Sequence, residues 1–373
     1  MNNKKKVILG LSGGVDSAVA AILLLQQGFN VEGVFMRNWD SSLNMDILGN
    51  PHIDDEVCPQ EKDYIDAIKV AEKLNIKIHR IDFVEEYWQK VFSYFLEEYR
   101  NNRTPNPDIL CNSEIKFKSF LNIAEKMGAD FIAMGHYARV QHTPSVALLR
   151  GIDPNKDQSY FLSQLTKKQL QKSLFPLGGL YKKEVRKIAS DYGLEIADKK
   201  DSTGVCFIGE RNFRKFLQNY IPAKPGNIET LDGDTVGKHE GIMYYTIGQR
   251  HGLRIGGAGA PWYVLGKDSK RNVLLVGRGA NHEYLFSNRT IVNKINWLGL
   301  DFKKLNCAVK FRYRSKDIRA TVLKIDNDTF EVIYPDKAKA VTPGQAAVFY
   351  NGSELWGGGT IDTVYMNNQI RRY

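Results

Sequence analysis

The sequence predicts an α/β protein in which a parallel-sheet domain is followed by a small, mostly-β central domain and a C-terminal β-barrel. Short apolar runs alternate with helical patterns over the first third of the chain. From about residue 211, Gly and Pro become frequent among short β-branched and aromatic runs. After residue 280, short strands recur at even spacing between turn residues. We therefore expect domains at residues 1–210, 211–280 and 281–373.

The first domain contains four strand-like runs and four stretches with apolar residues at helical spacing. The strand-like runs are Val7–Leu11, Val31–Met36, Ile76–Asp82 and Phe131–Met134. The helical stretches are residues 16–27, 63–74, 86–99 and 115–126. Strands joined by such helices form a parallel sheet that binds ligands outside the carboxyl ends of its strands. This places Ser12–Ser17, Met36 and Gly135-His136 on one rim. Residues 101–111 read as irregular, because Pro105 and Pro107 block a helix.

Composition limits the class of protein. No stretch of the 373 residues is long and apolar enough to span a membrane, so we expect a cytoplasmic protein with no membrane partner. The four cysteines are scattered and form no C-x-x-C pair, which argues against a disulfide scaffold, a zinc site or an iron–sulfur cluster.

The net charge of +10 is unevenly distributed. Residues 1–100 hold 11 Lys and Arg against 16 Asp and Glu. Residues 101–280 hold 27 against 17, and residues 281–373 hold 14 against 9. A basic remainder after an acidic start fits a polyanion lying along the later part of the chain. A merely solvated basic surface is the alternative, and charge alone does not decide between them.

A Gly-rich turn follows the first strand. The run Val7–Leu11 leads directly into Ser12–Ser17, which reads Ser-Gly-Gly-Val-Asp-Ser, and then into an amphipathic helix. Gly13 and Gly14 let the backbone N–H groups approach an anion closely, and the helix adds its positive dipole end. The turn lacks the Lys of the Walker A pattern. The sequence therefore predicts a phosphate site of another type.

Two cysteines and one carboxylate are candidates for chemistry. Cys111 precedes a helical pattern, so a helix N-terminus is expected to favour its thiolate. Cys206 has basic neighbours that act in the same direction. Either cysteine alone is equally compatible with a buried apolar role. Asp108, three residues before Cys111, is compatible with a base, with a group that orients a substrate, or with a turn residue.

Taken together, the motifs resemble those of the tRNA-specific 2-thiouridylases of the PP-loop ATP pyrophosphatase superfamily, whose catalytic domain has an adenine nucleotide alpha hydrolase-like fold. The resemblance covers essentially the whole chain. It is carried, in order, by Ser12–Ser17, Asn106-Pro107-Asp108 with Cys111-Asn112, Gly135-His136-Tyr137, Lys156–Tyr160, residues 204–209, residues 245–250, and Pro343-Gly344-Gln345.

The resemblance implies an enzyme that replaces O2 of the wobble uridine of tRNA by sulfur. ATP adenylates O2, and a cysteine persulfide then delivers sulfur, with release of AMP and pyrophosphate. Cys206 would carry the persulfide and Cys111 would be the nucleophile, leaving a Cys111–Cys206 disulfide. The implied partners are the anticodon region of tRNA and a sulfur donor, either a cysteine desulfurase or a sulfur-relay protein. Mg²⁺ is expected with ATP, and no ligand for it is named.

The resemblance also implies which residues contact each substrate. The residues implied to bind ATP are Gly10, Leu11, Ser12, Gly13, Gly14, Val15, Asp16, Ser17, Met36 and Gly135. Those implied to meet the target base are Asn106, Pro107 and Asp108. The further tRNA contacts are His136, Lys156, Asp157, Gln158, Arg312, Tyr313 and Gln345.

Other interpretations of the sequence stay open. A strand over Lys310–Arg314 would align Lys310, Arg312 and Arg314 as a basic face, either for RNA or simply for solvent. A different PP-loop enzyme that uses ammonia as nucleophile would need neither cysteine. An RNA-binding protein with a degenerate ATP site is a third candidate. Conversion of ATP to AMP in the presence of tRNA distinguishes the three. Cys58 receives no role, and Cys307 is expected in a strand of the core.

Overall fold

The computed structural model of the chain describes residues 4–201 and 208–371. The chain divides into two compact units. Unit 1 takes the described residues of Met1–Phe92, Pro107–Phe216 and Ser353–Leu355, and unit 2 takes those of Ser93–Asn106, Leu217–Gly352 and Trp356–Tyr373. The predicted fold class is confirmed. The predicted boundaries after residues 210 and 280 stay predictions.

The elements are numbered in chain order. The α-helices are α1 Val15–Gln26, α2 Pro59–Leu74, α3 Val84–Tyr87, α4 Ser93–Arg100, α5 Pro107–Leu110, α6 Phe120–Lys126, α7 Lys167–Gln171, α8 Lys182–Asp191 and α9 Phe213–Gln218. π-helical turns cover Trp88–Phe92 and Cys111–Ser119, and 3₁₀ turns cover Ser159–Leu162, Ile242–Tyr244 and Glu283–Leu285.

The strands of unit 1 are β1 Lys6–Gly10, β2 Asn30–Arg37, β3 Lys77–Asp82, β4 Phe131–Ala133, β5 Ala138–Gln141, β6 Ala147–Arg150 and β7 Ser173–Leu174. Five of them form a parallel sheet in the order β3-β2-β1-β4-β7. Strand β1 is buried along Val7–Gly10, and α1 is buried on almost every side because it packs on this sheet. Strands that are covered on both faces read as continuous apolar runs, as β1 does.

The other two strands of unit 1 form an antiparallel hairpin. Strand β5 pairs with β6, and β6 pairs in turn with Glu354 and Leu355. The last pairing brings a short piece of the distant C-terminal sequence into unit 1.

The strands of the rest of the chain are β8 Gly226–Glu229, β9 Thr235–His239, β10 Trp262–Asp268, β11 Val273–Arg278, β12 Phe286–Trp297, β13 Lys304–Lys310, β14 Ile318–Lys324, β15 Thr329–Lys339, β16 Ala346–Asn351, β17 Glu354–Met366 and β18 Gln369–Ile370. Strands β8–β11 form one sheet in the order β10-β11-β8-β9. Strands β12–β17 follow one another as β12-β15-β14-β13-β16-β17, and β17 returns to β12. This return closes the predicted barrel around an apolar core.

Two local predictions were wrong. Residues 107–110 are helical rather than irregular, since Pro107 is the first residue of α5. Proline is favoured at that position, because the first N–H groups of a helix have no intrahelical partner to lose. The strand predicted over Lys310–Arg314 ends at Lys310, and the following residues turn, with the Ser315 N–H donating to the Arg312 carbonyl at 3.1 Å. The proposed alignment of Lys310, Arg312 and Arg314 on one strand face therefore does not exist.

Within the described parts of the chain, no helix combines the length and the apolar character that crossing a membrane requires.

Gly178 packs closely against the hairpin. A Cβ at Gly178 would lie 1.8 Å from the Ala138 carbonyl oxygen, whereas a Cβ at the adjacent Gly179 would meet nothing within 4 Å. We expect Gly178→Ala to lower the free energy of unfolding by about 1–3 kcal/mol, because the backbone must move apart. Gly179→Ala is the matched control, with a change of about 0.5 kcal/mol or less. Urea unfolding of both variants measures the difference, and equal stabilities would contradict the close packing.

Candidate functional site

The Gly-rich turn between β1 and α1 is held closed by one serine. The Ser17 hydroxyl accepts from the Ser12 N–H at 3.1 Å, lies 3.2 Å from the Ser12 hydroxyl, and donates to the Gly14 carbonyl at 3.0 Å. Gly13 has a φ of +73°, and a Cβ there would lie 2.0 Å from the Asp63 carbonyl oxygen. Glycine is therefore required at this position both for its conformation and for its size.

The residues predicted to share a rim do meet at the carboxyl ends of β1, β2 and β4. A Cβ at Gly10 would lie 3.1 Å from Met36 Cε and 2.7 Å from Met134 Sδ. A Cβ at Gly135 would lie 3.1 Å from the Ser17 backbone nitrogen. Gly10 therefore packs against the two methionine side chains, and Gly135 packs against the first turn of α1. Leu11 and Val15 are buried and anchor the turn from beneath.

Asp16, at the start of α1, joins a partly buried network of charged side chains. Its Oδ1 accepts from the Tyr137 hydroxyl at 2.7 Å, and the Lys182 Nζ lies 2.8 and 3.0 Å from its two oxygens. Lys182 also contacts Asp201 at 2.7 Å, with only 12% of its side chain exposed. Burial, together with the neighbouring Asp16 carboxylate, raises the pKa of Tyr137, so its hydroxyl remains a donor at neutral pH.

Asp201 collects three cations. Lys156 Nζ lies 2.6 Å away, and Arg186 lies 3.3 Å away, in addition to Lys182. Burial tends to raise the pKa of Asp201, but the hydrogen bonds from Lys156 and Lys182 outweigh it and hold the pKa below its usual value. This carboxylate therefore stays ionised and fixes the positions of the three basic side chains. Cys206 lies outside the described residues, five positions further along.

Lys199 fastens the turn to α2. Its Nζ lies 3.2 Å from the Gly13 carbonyl oxygen, 2.7 Å from Asp63 and 2.6 Å from Asp66. Burial tends to lower the pKa of Lys199, while its bonds to Asp63 and Asp66 raise it, and the net shift is upward. Lys199 therefore stays charged and does not leave its two carboxylates at neutral pH.

Cys111 is fully buried in the second turn of a helical stretch that begins at Pro107. The prediction that it lies at a helix N-terminus was wrong, because α5 precedes it, and the effect of the dipole falls off within the first turn. Cys111 instead opens a π-helical turn, a geometry that recurs at functional sites. Asp108 is half-buried on α5. Asn106 belongs to unit 2, and Pro107 to unit 1.

His136 follows the rim glycine and is buried between aromatic rings. Its ring lies 5.8 Å from Phe117 and 6.1 Å from Phe175. Burial, with a smaller contribution from Lys116, holds its pKa well below the usual value, so the imidazole is neutral at pH 7. Its Nδ1 has no hydrogen-bond partner among the described residues. The side chain therefore offers a neutral polar group rather than a positive charge.

In the segment Lys156–Gln158, Asp157 and Gln158 bond to backbone N–H groups, whereas Lys156 is a partly exposed charge. Asp157 is buried, and its Oδ1 accepts from the N–H groups of Gly151 and Ser159, each at 3.1 Å. Gln158 Oε1 accepts from the Tyr137 N–H at 3.0 Å. Asp157 and Gln158 thus hold the backbone next to Tyr137, the residue that donates to Asp16. Lys156 is the charged side chain of the segment that is available to a ligand.

Three predicted tRNA contacts lie in unit 2. The Arg312 guanidinium donates to the carbonyls of Ile247 and Ala340, at 2.8 and 3.0 Å. Tyr313, next to it, is half-buried in the turn. Gln345 Nε2 donates to the Thr104 carbonyl at 2.9 Å. Arg312 and Gln345 therefore hold the backbone of unit 2, whatever else they contact.

The sequence interpretation missed the charged partners of Asp16 and Gly13. Lys182 and Asp16 are separated by 166 positions, and Lys199 and Gly13 by 186. No local spacing links residues this far apart. Tyr137 stood in a recognised motif, but nothing in the sequence paired it with Asp16.

A metal ion held by the protein alone needs several donor side chains grouped together. Among residues 4–201 and 208–371, no three His, Cys, Asp or Glu side chains are grouped so that they could hold a metal. Asp16 lies in the first turn of α1, and both of its carboxylate oxygens already accept from Lys182. The chain therefore does not supply a protein cage for Mg²⁺ in these residues.

Comparison with known proteins identifies the family. The model described as the tRNA methyl transferase HUP domain matches residues 5–210. The models described as the tRNA methyl transferase PRC-barrel domain and the aminomethyltransferase beta-barrel domain match residues 214–278 and 287–361.

Full-length relatives carry a more specific name. The tRNA-specific 2-thiouridylase MnmA of Acholeplasma laidlawii is 55% identical over 99% of this chain and 100% of its own. Those of Mesoplasma florum and Listeria monocytogenes are 57% and 53% identical, over 97% and 100% of this chain and 100% and 98% of their own. A solved 4-thiouridine synthetase–RNA complex with bound ATP is 18% identical over 56% of this chain and 46% of its own, with a TM-score of 0.33, which supports no further statement. The full-length identities show that this chain belongs to the tRNA-specific 2-thiouridylase family.

Proposed function

We propose that this protein replaces O2 of the wobble uridine in tRNA by sulfur, using ATP to activate the oxygen and a cysteine persulfide to supply the sulfur. One observation carries the proposal on the structural side. A Gly-rich turn, closed by Ser17, lies at the carboxyl rim of a parallel sheet in a chain of the 2-thiouridylase family. Such an enzyme works where tRNA and ATP are both present, so we propose the cytoplasm as its location.

The turn Gly10–Ser17, with Met36 and Gly135 beside it, would receive ATP. Backbone N–H groups at the start of α1 suit the phosphate oxygens. Lys182 lies beside this turn with its charge already shared between Asp16 and Asp201. It would offset the charge that develops on the departing pyrophosphate.

Mg²⁺ would bind with the nucleotide. The ion prefers phosphate and water oxygens with one or two carboxylates, and the described residues offer no cage of their own. It would neutralise phosphate charge.

The proposed reaction has three bond exchanges. First, uridine O2 attacks the α-phosphorus of ATP, the bond between the α-phosphorus and the bridging oxygen breaks, and pyrophosphate leaves. Second, the terminal sulfur of the Cys206 persulfide attacks C2, the C2–O2 bond breaks, and AMP departs with O2. Third, the Cys111 thiolate attacks the Cys206 sulfur and the S–S bond breaks, which leaves sulfur on C2 and a Cys111–Cys206 disulfide. An external thiol reduces the disulfide before the next turnover.

Cys111 is fully buried, and burial disfavours a thiolate. The third exchange would therefore require Cys111 to become accessible to Cys206 when tRNA and ATP are bound. Asp108, three residues earlier on α5, would take up or return the proton of the uridine N3 or of the thiol. His136, neutral and with a free Nδ1 among the described residues, would bond a base or a ribose rather than a phosphate.

The remaining tRNA contacts are proposed by group. Lys156 would meet phosphate, because its charge is 37% exposed. Asn106, Pro107 and Asp108 would meet the extruded uridine, as enzymes that modify a base take it out of its stack. Gln345 would hold the segment that carries Asn106, and Tyr313 would reach the RNA from the turn that Arg312 fixes. Asp157 and Gln158 would act through Tyr137 and Lys156.

We predict that Ser17→Ala lowers ATP-to-AMP conversion in the presence of tRNA by about tenfold to a hundredfold, because the turn loses the hydroxyl that closes it. Affinity for tRNA should not change. Ser173→Ala is the matched control, since the buried Ser173 hydroxyl also donates to a backbone carbonyl, that of Gln169 at 2.7 Å. Product AMP is measured by chromatography. If Ser17→Ala converts ATP to AMP at the wild-type rate, the proposal that this turn binds the phosphates of ATP is contradicted.

Lys156→Gln should weaken tRNA binding and flatten the log–log dependence of affinity on salt by about 1, since one phosphate contact is lost. Lys69→Gln is the matched control, because Lys69 also pairs with a carboxylate, Glu195 at 3.0 Å, but lies on α2. Fluorescence titration across salt concentrations gives both slopes. An equal change in the two variants would indicate general electrostatics rather than an RNA face.

The two cysteines should separate in a loading experiment. Cys206→Ser should take up no persulfide from a donor, whereas Cys111→Ser should load Cys206 and fail to release 2-thiouridine. Cys307→Ser is the control, because burial raises the pKa of that thiol to about 12 and keeps it protonated. Peptide mass mapping locates the sulfur. Persulfide on Cys111 instead of Cys206 would reverse the roles.

A further inference from the structure

Residues 38–58, here called the acidic loop, follow β2 and are rigidly attached to unit 1. Trp39 is buried, and its Nε1 donates to Asp46 Oδ2 at 3.0 Å. Asp46 is fully buried and pairs with Arg211 at 2.8 Å, where the Arg211 side chain is only 9% exposed. A buried carboxylate of this kind is retained only when it is bonded and paired. The acidic loop therefore has a defined conformation although it lacks helices and strands.

The acidic loop is attached to the segment that follows Cys206. The Asn212 N–H donates to the Gly49 carbonyl at 2.9 Å. Gly49 has a φ of +76°, and a Cβ there would lie 2.7 Å from the Asn212 carbonyl oxygen. Arg211, which pairs with Asp46, follows Cys206 by five positions. The loop is thus built directly onto the chain that leads away from the proposed sulfur-carrying cysteine.

Apolar side chains of the acidic loop point into solvent. The exposed fractions are 70% for Leu43, 65% for Met45 and 60% for Ile47, and Ile53 and Val57 are also exposed. Met45 has a φ of 51°, a left-handed conformation that a side chain other than glycine or asparagine rarely adopts. Several large apolar groups exposed on one ordered loop are typical of a surface that binds another protein.

The charge of the acidic loop selects the partner. Three of its five carboxylates, Asp54, Asp55 and Glu56, are exposed, and the loop contains no Lys or Arg, in a chain whose net charge is +10. A surface of this sign repels tRNA. It also disfavours a symmetric contact between two copies of the chain, in which the same carboxylates would face each other. A protein with a basic surface around apolar side chains is complementary to it.

We propose that the acidic loop is the docking surface for the protein that delivers persulfide sulfur, and that this partner presents basic residues around an apolar patch. The proposal rests on the proposed function, because only a sulfur-transfer enzyme needs such a donor. In the delivery step the Cys206 thiolate attacks the outer sulfur of the donor's persulfide, the donor's S–S bond breaks, and the donor leaves as a thiolate. Docking on the acidic loop brings the donor to the chain next to Cys206.

The test is a triple variant, Leu43→Ser, Met45→Ser and Ile47→Ser, studied in the full-length protein. Its matched control is Leu300→Ser with Ile325→Ser, which removes side chains that are 90% and 58% exposed elsewhere. The probe is the cysteine desulfurase, with a relay protein if one is needed, that supports thiolation by the wild type from cysteine. Donor binding is measured by biolayer interferometry, and 2-thiouridine by mass spectrometry with either the donor or sodium sulfide as the sulfur source. Sulfide bypasses docking because HS⁻ attacks the adenylated C2 directly, the C2–O2 bond breaks and AMP leaves, so that no persulfide is needed.

We expect the triple variant to bind the donor at least tenfold more weakly and to lose donor-dependent thiolation in proportion. Its sulfide-supported rate, tRNA affinity and thermal unfolding should match those of the control. Asp54→Asn with Glu56→Gln should weaken donor binding further at low salt than at high salt.

Wild-type donor affinity in the triple variant would overturn the docking proposal. An equal loss of tRNA affinity would assign the loop to RNA, and loss of a wild-type dimer on gel filtration would assign it to a second copy; each also overturns it. Failure of the wild type to make 2-thiouridine from either source would instead refute the proposed function, whereas wild-type thiolation together with unchanged donor affinity in the triple variant would refute the docking proposal alone.

Discussion

Strands β1 and β4 lie side by side, and Val7 pairs with Phe131. These two residues are separated in the sequence by most of the first domain. This pairing reverses the direction in which the sheet grows, because β2 and β3 lie on the other side of β1. The connections after β1 and β4 therefore leave in opposite directions, and a crevice opens at the carboxyl ends of the two strands. Gly13, which is restricted to glycine by its φ and by the Asp63 carbonyl, and Gly135, which packs against the first turn of α1, lie at these strand ends. The position of the proposed nucleotide site follows from strand order before any side chain is considered.

The charged side chains at this rim form a network in which one residue contacts several residues of opposite charge. Lys182 lies between Asp16 and Asp201, and Asp201 also holds Lys156 and Arg186. Because buried charges are stable only when each is compensated, removal of one member leaves the others with altered partners. Binding of a polyanion near Lys182 would draw on the same positive charge that holds Asp201. The proposed phosphate site and the base of the Cys206 segment are therefore electrostatically coupled.

The parts of the fold that depend on neighbouring residues could be predicted from the sequence. The first strand was expected at Val7–Leu11 and lies at Lys6–Gly10, because an apolar run and a Gly-rich turn are local signals. Pro107 was misread as a helix breaker, since the same residue is unfavourable inside a helix and favourable at its start. A strand is predicted at Arg312 because basic and aromatic residues alternate there. The hydrogen bonds of Arg312 to the carbonyls of Ile247 and Ala340 leave no such signal in the sequence. The partners of Asp16 lie too far away in sequence for any pattern to reveal them.

The pairing of β6 with Glu354 and Leu355 bears on any attempt to divide this chain. A fragment that ends near residue 216 would contain nearly all of unit 1 but would lack this last strand segment. The backbone N–H and C=O groups of β6 would then form an uncovered sheet edge, which is a template for pairing with other molecules. Such a fragment should self-associate even if its nucleotide site is intact. In the full chain, Glu354 and Leu355 cover this edge of β6.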